Sequence, residues 1–311
     1  MSGACRVLPW LGLAALVLLP TLAGKFYVEL VAKIMIMAVF AMRTCRRAWG
    51  GFGLASYVLT LATPDKYAAA SLWTSLPLAV AASALLALGI GALALRTRGV
   101  YFIMVTLALS QMVYFVFHDT KIGGGSDGTY LYVKPELKLG DWRLIDLGNS
   151  TQYYYAMLVL LLLTFAFLRL LLASRFGRAL AGIRSNEQRM RALGFNTYAY
   201  KLAAFTIAGA IAGVAGYFAA VQFGFVNPEM LSWHQSANVL LMVILGGLGN
   251  LFGAIVGAFA FVLLQDLFSS LTKHWLLLMG GFVILAVMLL PGGLTRADEA
   301  WQTWIARMRR G

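Results

Sequence analysis

YYYAMLVLLLLTFAFLRLLLA, residues 153–173, runs for 21 positions with Arg169 as its single charge. A helix of that length rises roughly 30 Å, the thickness of a bilayer's hydrocarbon core. The run shows no apolar/polar alternation, so it predicts a transmembrane helix and not a barrel strand. The whole chain has this character. Of its 311 residues, 61% are hydrophobic and 12% charged, where soluble domains carry about 45–50% and about 25%. Mean hydropathy is +0.79. The expected fold class is all-α: an integral membrane protein built as a polytopic bundle of about ten transmembrane helices.

Apolar runs and their flanks predict spans near 7–23, 26–42, 48–63, 76–95, 99–117, 153–173, 200–221, 236–250, 252–271 and 274–290. Charge orients them. Segment 174–201 carries Arg175, Arg178, Arg184, Arg189, Arg191 and Lys201 against Glu187 alone, which places it in the cytoplasm by the positive-inside rule. Threading outward puts RTCRR (43–47), LRTRG (95–99) and a basic tail, 294–311, on the same side, so both termini are expected there. The connector 118–152 mixes both signs of charge and is expected on the outer side. The net charge of +13 is explained by these loops, without nucleic acid. The first 24 residues fit either a signal peptide ending near Thr21-Leu22-Ala23 or an uncleaved first span. The next hydrophobic run begins almost at once, which favours the span.

Reactive chemistry is missing from the sequence. The only Gly-Lys pair, Gly24-Lys25, lacks the phosphate-binding pattern. His118, His234 and His274 stand without ligand-like spacing, so no metal is expected. Cys5 and Cys45 lie far apart and suggest neither a disulfide framework nor a metal pair. No catalytic constellation appears. Charges inside the spans are few, where an ion-coupled carrier needs an aligned series. Glu29 and Lys33, four apart on one helical face, are expected to pair, and Asp266 beside Gln265 is expected to reach the interface.

Against this background RSNEQRMRALGFNTYAYKL, residues 184–202, stands out. Ser185 and Gln188 have the spacing of a capping box, and Gly194 is a natural terminator, which predicts a helix of about two turns. Such a helix is unstable alone in water, so something must hold it. Met190, Ala192 and Leu193 lie together, with Glu187, Arg189 and Arg191 presenting charge. Upstream, Phe176, Leu180 and Ile183 recur at helical spacing. The segment reads as a helix lying on anionic lipid or as a lever docking on a cytoplasmic partner. Glycines within the spans, Gly209, Gly213 and Gly216 or Gly249, Gly253 and Gly257, recur at small-residue spacing that lets helices approach closely.

Glu187, Ala192 and Gly194 in IRSNEQRMRALGFNTYAYKLAAF resemble the cytoplasmic coupling loop of ATP-binding-cassette (ABC) importer permeases. RGVYFIMVTLALSQM (98–112), GGGSDG (123–128), GRALAGIRSNE (177–187), IAGAIAGVAGYFAA (207–220) and LLMVILGGLGNLFGAIVGA (240–258) occur in order. Together they resemble the branched-chain amino acid importer permeases of the LivM type over residues 76–293. The resemblance implies a single permease domain, 1–311, with atypical N-terminal spans at 1–75, that core, an outer loop at 118–152 and a coupling segment at 174–199. It implies that Arg184, Glu187, Arg189, Ala192, Leu193 and Gly194 seat against an ATPase. It also implies that Gly124, Gly125, Ser126, Asp127 and Gly128 form an outer turn facing a binding protein or the pore mouth. The implied partners are a homologous permease of the LivH type, two cytoplasmic ATPase subunits and a periplasmic substrate-binding protein, in a bacterial inner membrane. ATP and Mg would be bound by the ATPase subunits, with no cofactor on this chain.

One stretch departs from that family. MAVFAM (37–42) passes through RTCRRAWG directly into GFGLASYVLTLAT (51–63), without the family's usual Ser-Leu-Gly-His-Ala-like motif. A divergent subfamily and a deletion or short frameshift both fit. Substrate residues cannot be carried over there, so urea or short amides stay open beside branched-chain amino acids. The competing class is an ATPase-independent channel or secondary carrier; a membrane enzyme has no reactive cluster behind it.

Overall fold

The computed structural model describes residues 16–21, 24–42, 51–62, 71–97, 99–131, 133–139, 142–247, 251–289 and 293–294. Residues 16–21 are helical. There follow α1 (Lys25–Ala41), α2 (Gly51–Leu61), α3 (Leu72–Ala94), α4 (Val100–Asp119), α5 (Ser150–Ala173), α6 (Arg175–Ser185), α7 (Glu187–Ala192), α8 (Thr197–Phe223), α9 (Trp233–Gly246), α10 (Leu251–Leu271) and α11 (Trp275–Leu289). Four short strands accompany them: β1 (Thr129–Tyr130), β2 (Glu136–Leu139), β3 (Trp142–Asp146) and β4 (Phe225–Val226).

Among the described residues five helices, α3, α4, α5, α8 and α10, are long and apolar enough to cross a membrane. Exposed Leu85, Tyr101, Leu163, Leu170 and Leu277, 63–75% accessible, give the bundle the apolar exterior that lipid requires. The protein is a multi-pass helical membrane protein. The sequence predicts ten spans, and the remaining ones are shorter in the structure: α1 has 17 residues, α2 11, α9 14 and α11 15. Predicted span 236–250 ends at Gly246, because Gly247 adopts φ +108° and turns the chain. Most of predicted span 7–23, the departure at 43–50 and the expected cytoplasmic tail lie outside the described residues.

Two helices form the centre. In α8, 72% of the apolar window is buried within the fold, against 22% in α3, α4 and α5 and 33% in α10. In α1 every residue from Ile34 to Ala41 is buried, as expected for a helix apolar on all sides. Helices α2 and α3 pack on α8, while α5, α9 and α10 pack on α1.

Small side chains let α8 and its neighbours approach closely. A Cβ at Gly209 would stand 2.2 Å from Ala87 Cβ, and one at Gly213 2.6 Å from Ser83 Cβ. One at Gly216 would stand 1.8 Å from the Phe52 carbonyl oxygen. Hydroxyls fasten the same seams: Ser56 Oγ donates to Gly216 O at 2.8 Å and Ser83 Oγ to Gly51 O at 3.0 Å. Such bonds stabilise helix pairs where lipid supplies no hydrophobic drive. Helices α9 and α10 meet through Gly246, Gly253 and Gly257, where a Cβ at Gly257 would stand 2.0 Å from Met242 O. Gly249 lies outside the described residues.

The connector 118–152 contains structure that its sequence does not announce. β2 and β3 form an antiparallel hairpin with an irregularity after Leu137, and β1 pairs with the distant β4, Thr129 opposite Val226. Strands of two to five residues are too short to display a readable alternation.

Candidate functional site

Three successive caps build an elbow between α5 and α8. Gly177 N donates to Ser174 Oγ at 3.4 Å, Arg189 N to Asn186 Oδ1 at 2.9 Å and Ala199 N to Asn196 Oδ1 at 3.1 Å, starting α6, α7 and α8. The expected capping box at Ser185 and Gln188 is not formed; a simple N-cap one residue on, at Asn186, takes its place. Ser185 is still helical and its Oγ donates back to Gly182 O at 2.8 Å, while Asn186 has the extended backbone, φ −155°, that an N-cap needs. At the other end Gly194, φ +83°, stops α7. Its N–H donates to Arg191 O at 2.9 Å and that of Phe195 to Met190 O at 3.1 Å, the paired bonds of a Schellman motif.

Six residues cannot hold a helix alone, and the structure shows what holds α7. Glu187 Oε1 accepts from Arg191 Nη2 at 2.7 Å and from Thr197 Oγ1 at 3.2 Å, and Oε2 accepts from Lys201 Nζ at 2.5 Å. One carboxylate thus ties α7 to the first turns of α8. Phe176 of α6 stacks on Tyr200 with ring centroids 5.6 Å apart, and Phe195 meets the same ring at 6.0 Å. Ala179 and Ile183 are buried, and Met190 presses on Gly182, where a Cβ would stand 2.8 Å from its sulfur. Within the apolar stripe of α6, Ile183 is buried and Phe176 and Leu180 are half-buried against this chain.

A second surface faces away from the bundle. Arg184, Arg189, Ala192, Leu193, Gly194 and Phe195 are exposed, Leu193 at 65%. Of the six residues expected at a partner, Glu187 alone has its side chain taken up by hydrogen bonds within the chain.

The Lys201 hydrogen bond, followed by the Lys201 charge and the bonds from Arg191 and Thr197, outweighs burial and holds the Glu187 carboxyl below the ordinary carboxylate range. Because the folded value is depressed, its stabilisation is complete above the unfolded pKa and fades as pH falls through the folded one. With the carboxylate one-third exposed, the tie contributes about 1 kcal/mol or less. The melting-temperature gap between the native chain and Glu187→Gln is expected to be constant near neutral pH and to close in acid. A gap that persists at low pH would count against the ionic tie.

At the far end of α8, about 40 Å away along its 27 residues, lies the glycine turn. Gly123, Gly124, Gly125 and Gly128 all have positive φ. Gly123 lies on the ring of Tyr57, which is stacked on Phe117 at 4.4 Å, and Gly128 lies against Val226 O. Ser126 and Asp127 point outward, Oγ to Oδ1 3.3 Å. The turn is seated by β1 pairing with β4, directly after α8.

The expected Glu29–Lys33 pair is not formed. Glu29 Oε1 accepts from Ser150 Oγ at 3.0 Å, and Lys33 Nζ lies 5.8 Å from the centroid of the Phe223 ring. The i, i+4 spacing permits a pair, but the neighbours brought by α5 and α8 take both groups. Asp266 is exposed, as its position near the end of α10 suggests. Among the described residues no group of His, Cys, Asp and Glu is placed to hold a metal.

A family model described as "Branched-chain amino acid transport system / permease component" matches residues 48–290. The chain is 33% identical over 266 residues to the high-affinity branched-chain amino acid transport system permease protein LivM of Salmonella typhimurium, covering 79% of this chain and 62% of that protein. The LivM protein of Escherichia coli is 32% identical over the same extent. The autoinducer 2 import system permease protein LsrC of Photorhabdus laumondii is 32% identical over 148 residues, 45% of this chain and 44% of that protein. The chain thus spans less than two thirds of the length of the LivM relatives. No solved structure matches it. With the family model spanning most of the chain and the LivM relatives aligning over 79% of it, this protein belongs to the branched-chain amino acid transport system permease family.

Proposed function

We propose that this chain is a permease subunit of an ABC importer that carries branched-chain or related amino acids across a bacterial inner membrane. Its partners would be a LivH-type permease, two cytoplasmic ATPase subunits that bind ATP and Mg, and a periplasmic binding protein. The observation that carries this reading is the elbow. A short helix, capped at both ends and exposed along Ala192–Phe195, is stapled by Glu187 to α8, the most buried of the five long apolar helices. A partner pressing on α7 would move the start of α8, and the far end of α8 holds the glycine turn through β4. Such a lever works only if the partner binds the elbow differently in its two states. In this reading the exposed Asp127 side faces the binding protein or the pore mouth. Cargo is a separate matter: the aligned relatives include one named for branched-chain amino acids and one named for autoinducer 2, so residues along the passage must select it.

The test is co-purification of a tagged chain with its cognate ATPase, joined to uptake measurements. Retention of the ATPase and loss of uptake on ATP depletion are expected. Uptake that instead collapses on dissipating the ion gradient, without ATPase retention, would establish a secondary carrier or channel.

A further inference from the structure

The corner between α5 and α6 gathers cations to which this chain offers no anion. Arg169 lies four residues, about 6 Å, before the end of α5, inside its apolar span, and is exposed. Ala173, one turn further on, shares its face, and Arg178 folds back from α6 to donate from Nη1 to Ala173 O at 3.3 Å. Two guanidinium groups are thereby brought to the same end of α5. Glu187 is the one acid between residues 147 and 228, and Arg191 and Lys201 already hold it. Among the described residues no carboxylate pairs with Arg169 or Arg178. The carbonyls that would repel an anion here are engaged: Leu171 O accepts from Ser174 Oγ at 2.6 Å, and Ala173 O from Arg178. Further into the span Val159, Leu163, Ala166 and Leu170 recur at helical spacing on the side of Ala173. The three large ones are 54–72% accessible, so an apolar stripe leads up to the arginines.

We propose that this corner is a binding site for an anionic phospholipid, its phosphate held between Arg169 and Arg178 and one acyl chain lying on the Val159–Leu170 stripe. A guanidinium suits phosphate because its planar N–H groups pair with two oxygens at once. An arginine one turn inside a span reaches headgroup level by extending its side chain along the helix. That depth also separates lipid from a soluble subunit as occupant. A soluble partner can meet the exposed Ala192–Phe195 surface, whereas Arg169 stands among lipid-facing leucines, where a lipid headgroup is what brings an anion. A zwitterionic lipid fills the stripe equally well but carries its own ammonium and leaves the excess positive charge unbalanced. A lipid seated here braces the joint at Ser174 between the long α5 and the elbow. The site needs a bilayer but no transport partner, so it stands or falls apart from the importer reading.

Native mass spectrometry of the full chain, titrated with dioleoylphosphatidylglycerol, tests it. The first such lipid should bind more tightly than dioleoylphosphatidylcholine, and glycerol phosphate, which has the anion without acyl chains, should not displace it. Arg169→Gln and Arg178→Gln should each weaken that binding about fivefold, the effect of one basic residue at an anionic surface. Arg96→Gln is the control: it removes an equal exposed charge at the end of α3, which the Tyr198–Ala92 bond places beside the start of α8, and should leave the affinity unchanged. Melting temperature gives a second readout. Phosphatidylglycerol should raise that of the native chain and raise that of either arginine variant less, while all three melt alike without it. Equal affinity for both lipids, displacement by glycerol phosphate, or an equal loss in Arg96→Gln would overturn the site. Unchanged lipid binding in Arg169→Gln and Arg178→Gln would overturn it as well, and joined to loss of ATPase retention would assign these residues to the partner instead.

Discussion

Replacing Ala192 with Trp is expected to cut ATP-driven uptake by roughly 5- to 150-fold, the span of ordinary coupling energies, while the chain remains folded. The separation of these effects follows from position. Ala192 closes α7 and is exposed beside Leu193, Gly194 and Phe195, so an indole there meets no wall of its own chain. The staple through Glu187, Arg191, Thr197 and Lys201 is on another side and stays intact. Any loss of uptake must therefore arise where the elbow meets a partner. The measurement is uptake and ATPase retention in one preparation, with thermal stability as the folding control. Native uptake in Ala192→Trp would remove this face from the coupling path.

The second large effect is structural. Gly216→Val is expected to destabilise the bundle by about 3 kcal/mol or more, the upper end of overpacking costs. The Cβ would fall 1.8 Å from the Phe52 carbonyl oxygen, and that oxygen belongs to backbone, so no rotamer change relieves the clash. Moving α2 away would also break the Ser56–Gly216 bond at 2.8 Å. Gly89→Ala in α3 is the matched control, because nothing stands within 4 Å of a Cβ there and alanine favours helix by about 0.5–1 kcal/mol. Yield of monodisperse protein and melting temperature should fall sharply for Gly216→Val and hold or rise for Gly89→Ala. Equal behaviour of the two would mean that the α2–α8 seam is looser than its geometry implies.

Helices were legible where the apolar period was long. The runs at 76–95, 99–117, 153–173, 200–221 and 252–271 correspond to α3, α4, α5, α8 and α10, because some 20 apolar residues in lipid leave the backbone no other way to satisfy its own hydrogen bonds. The β1–β4 ribbon was not legible, since its pairing joins residues nearly a hundred positions apart, Thr129 with Val226, and the β2–β3 hairpin was not legible because its strands of four and five residues are too short to show an alternation. The stop at Gly194 could be read from one residue, because only positive φ was needed. The cap at Asn186 could not be told from Ser185, since both side chains accept the same bond and only the backbone angles distinguish them.

By itself the sequence determined the solvent, the helical class, the amphipathic charged segment between two long spans and, through its ordered motifs, the family. Those depend on composition and local periodicity, which each residue carries wherever the chain goes. Tertiary structure alone decided that α8 and α1 are central, that Glu187 faces inward as a staple while Ala192 and Leu193 face outward, and that Lys33 turns from Glu29 toward the Phe223 ring. These are choices among partners that local spacing leaves equivalent, and they are settled by which distant helices arrive to offer a better hydrogen bond or ring.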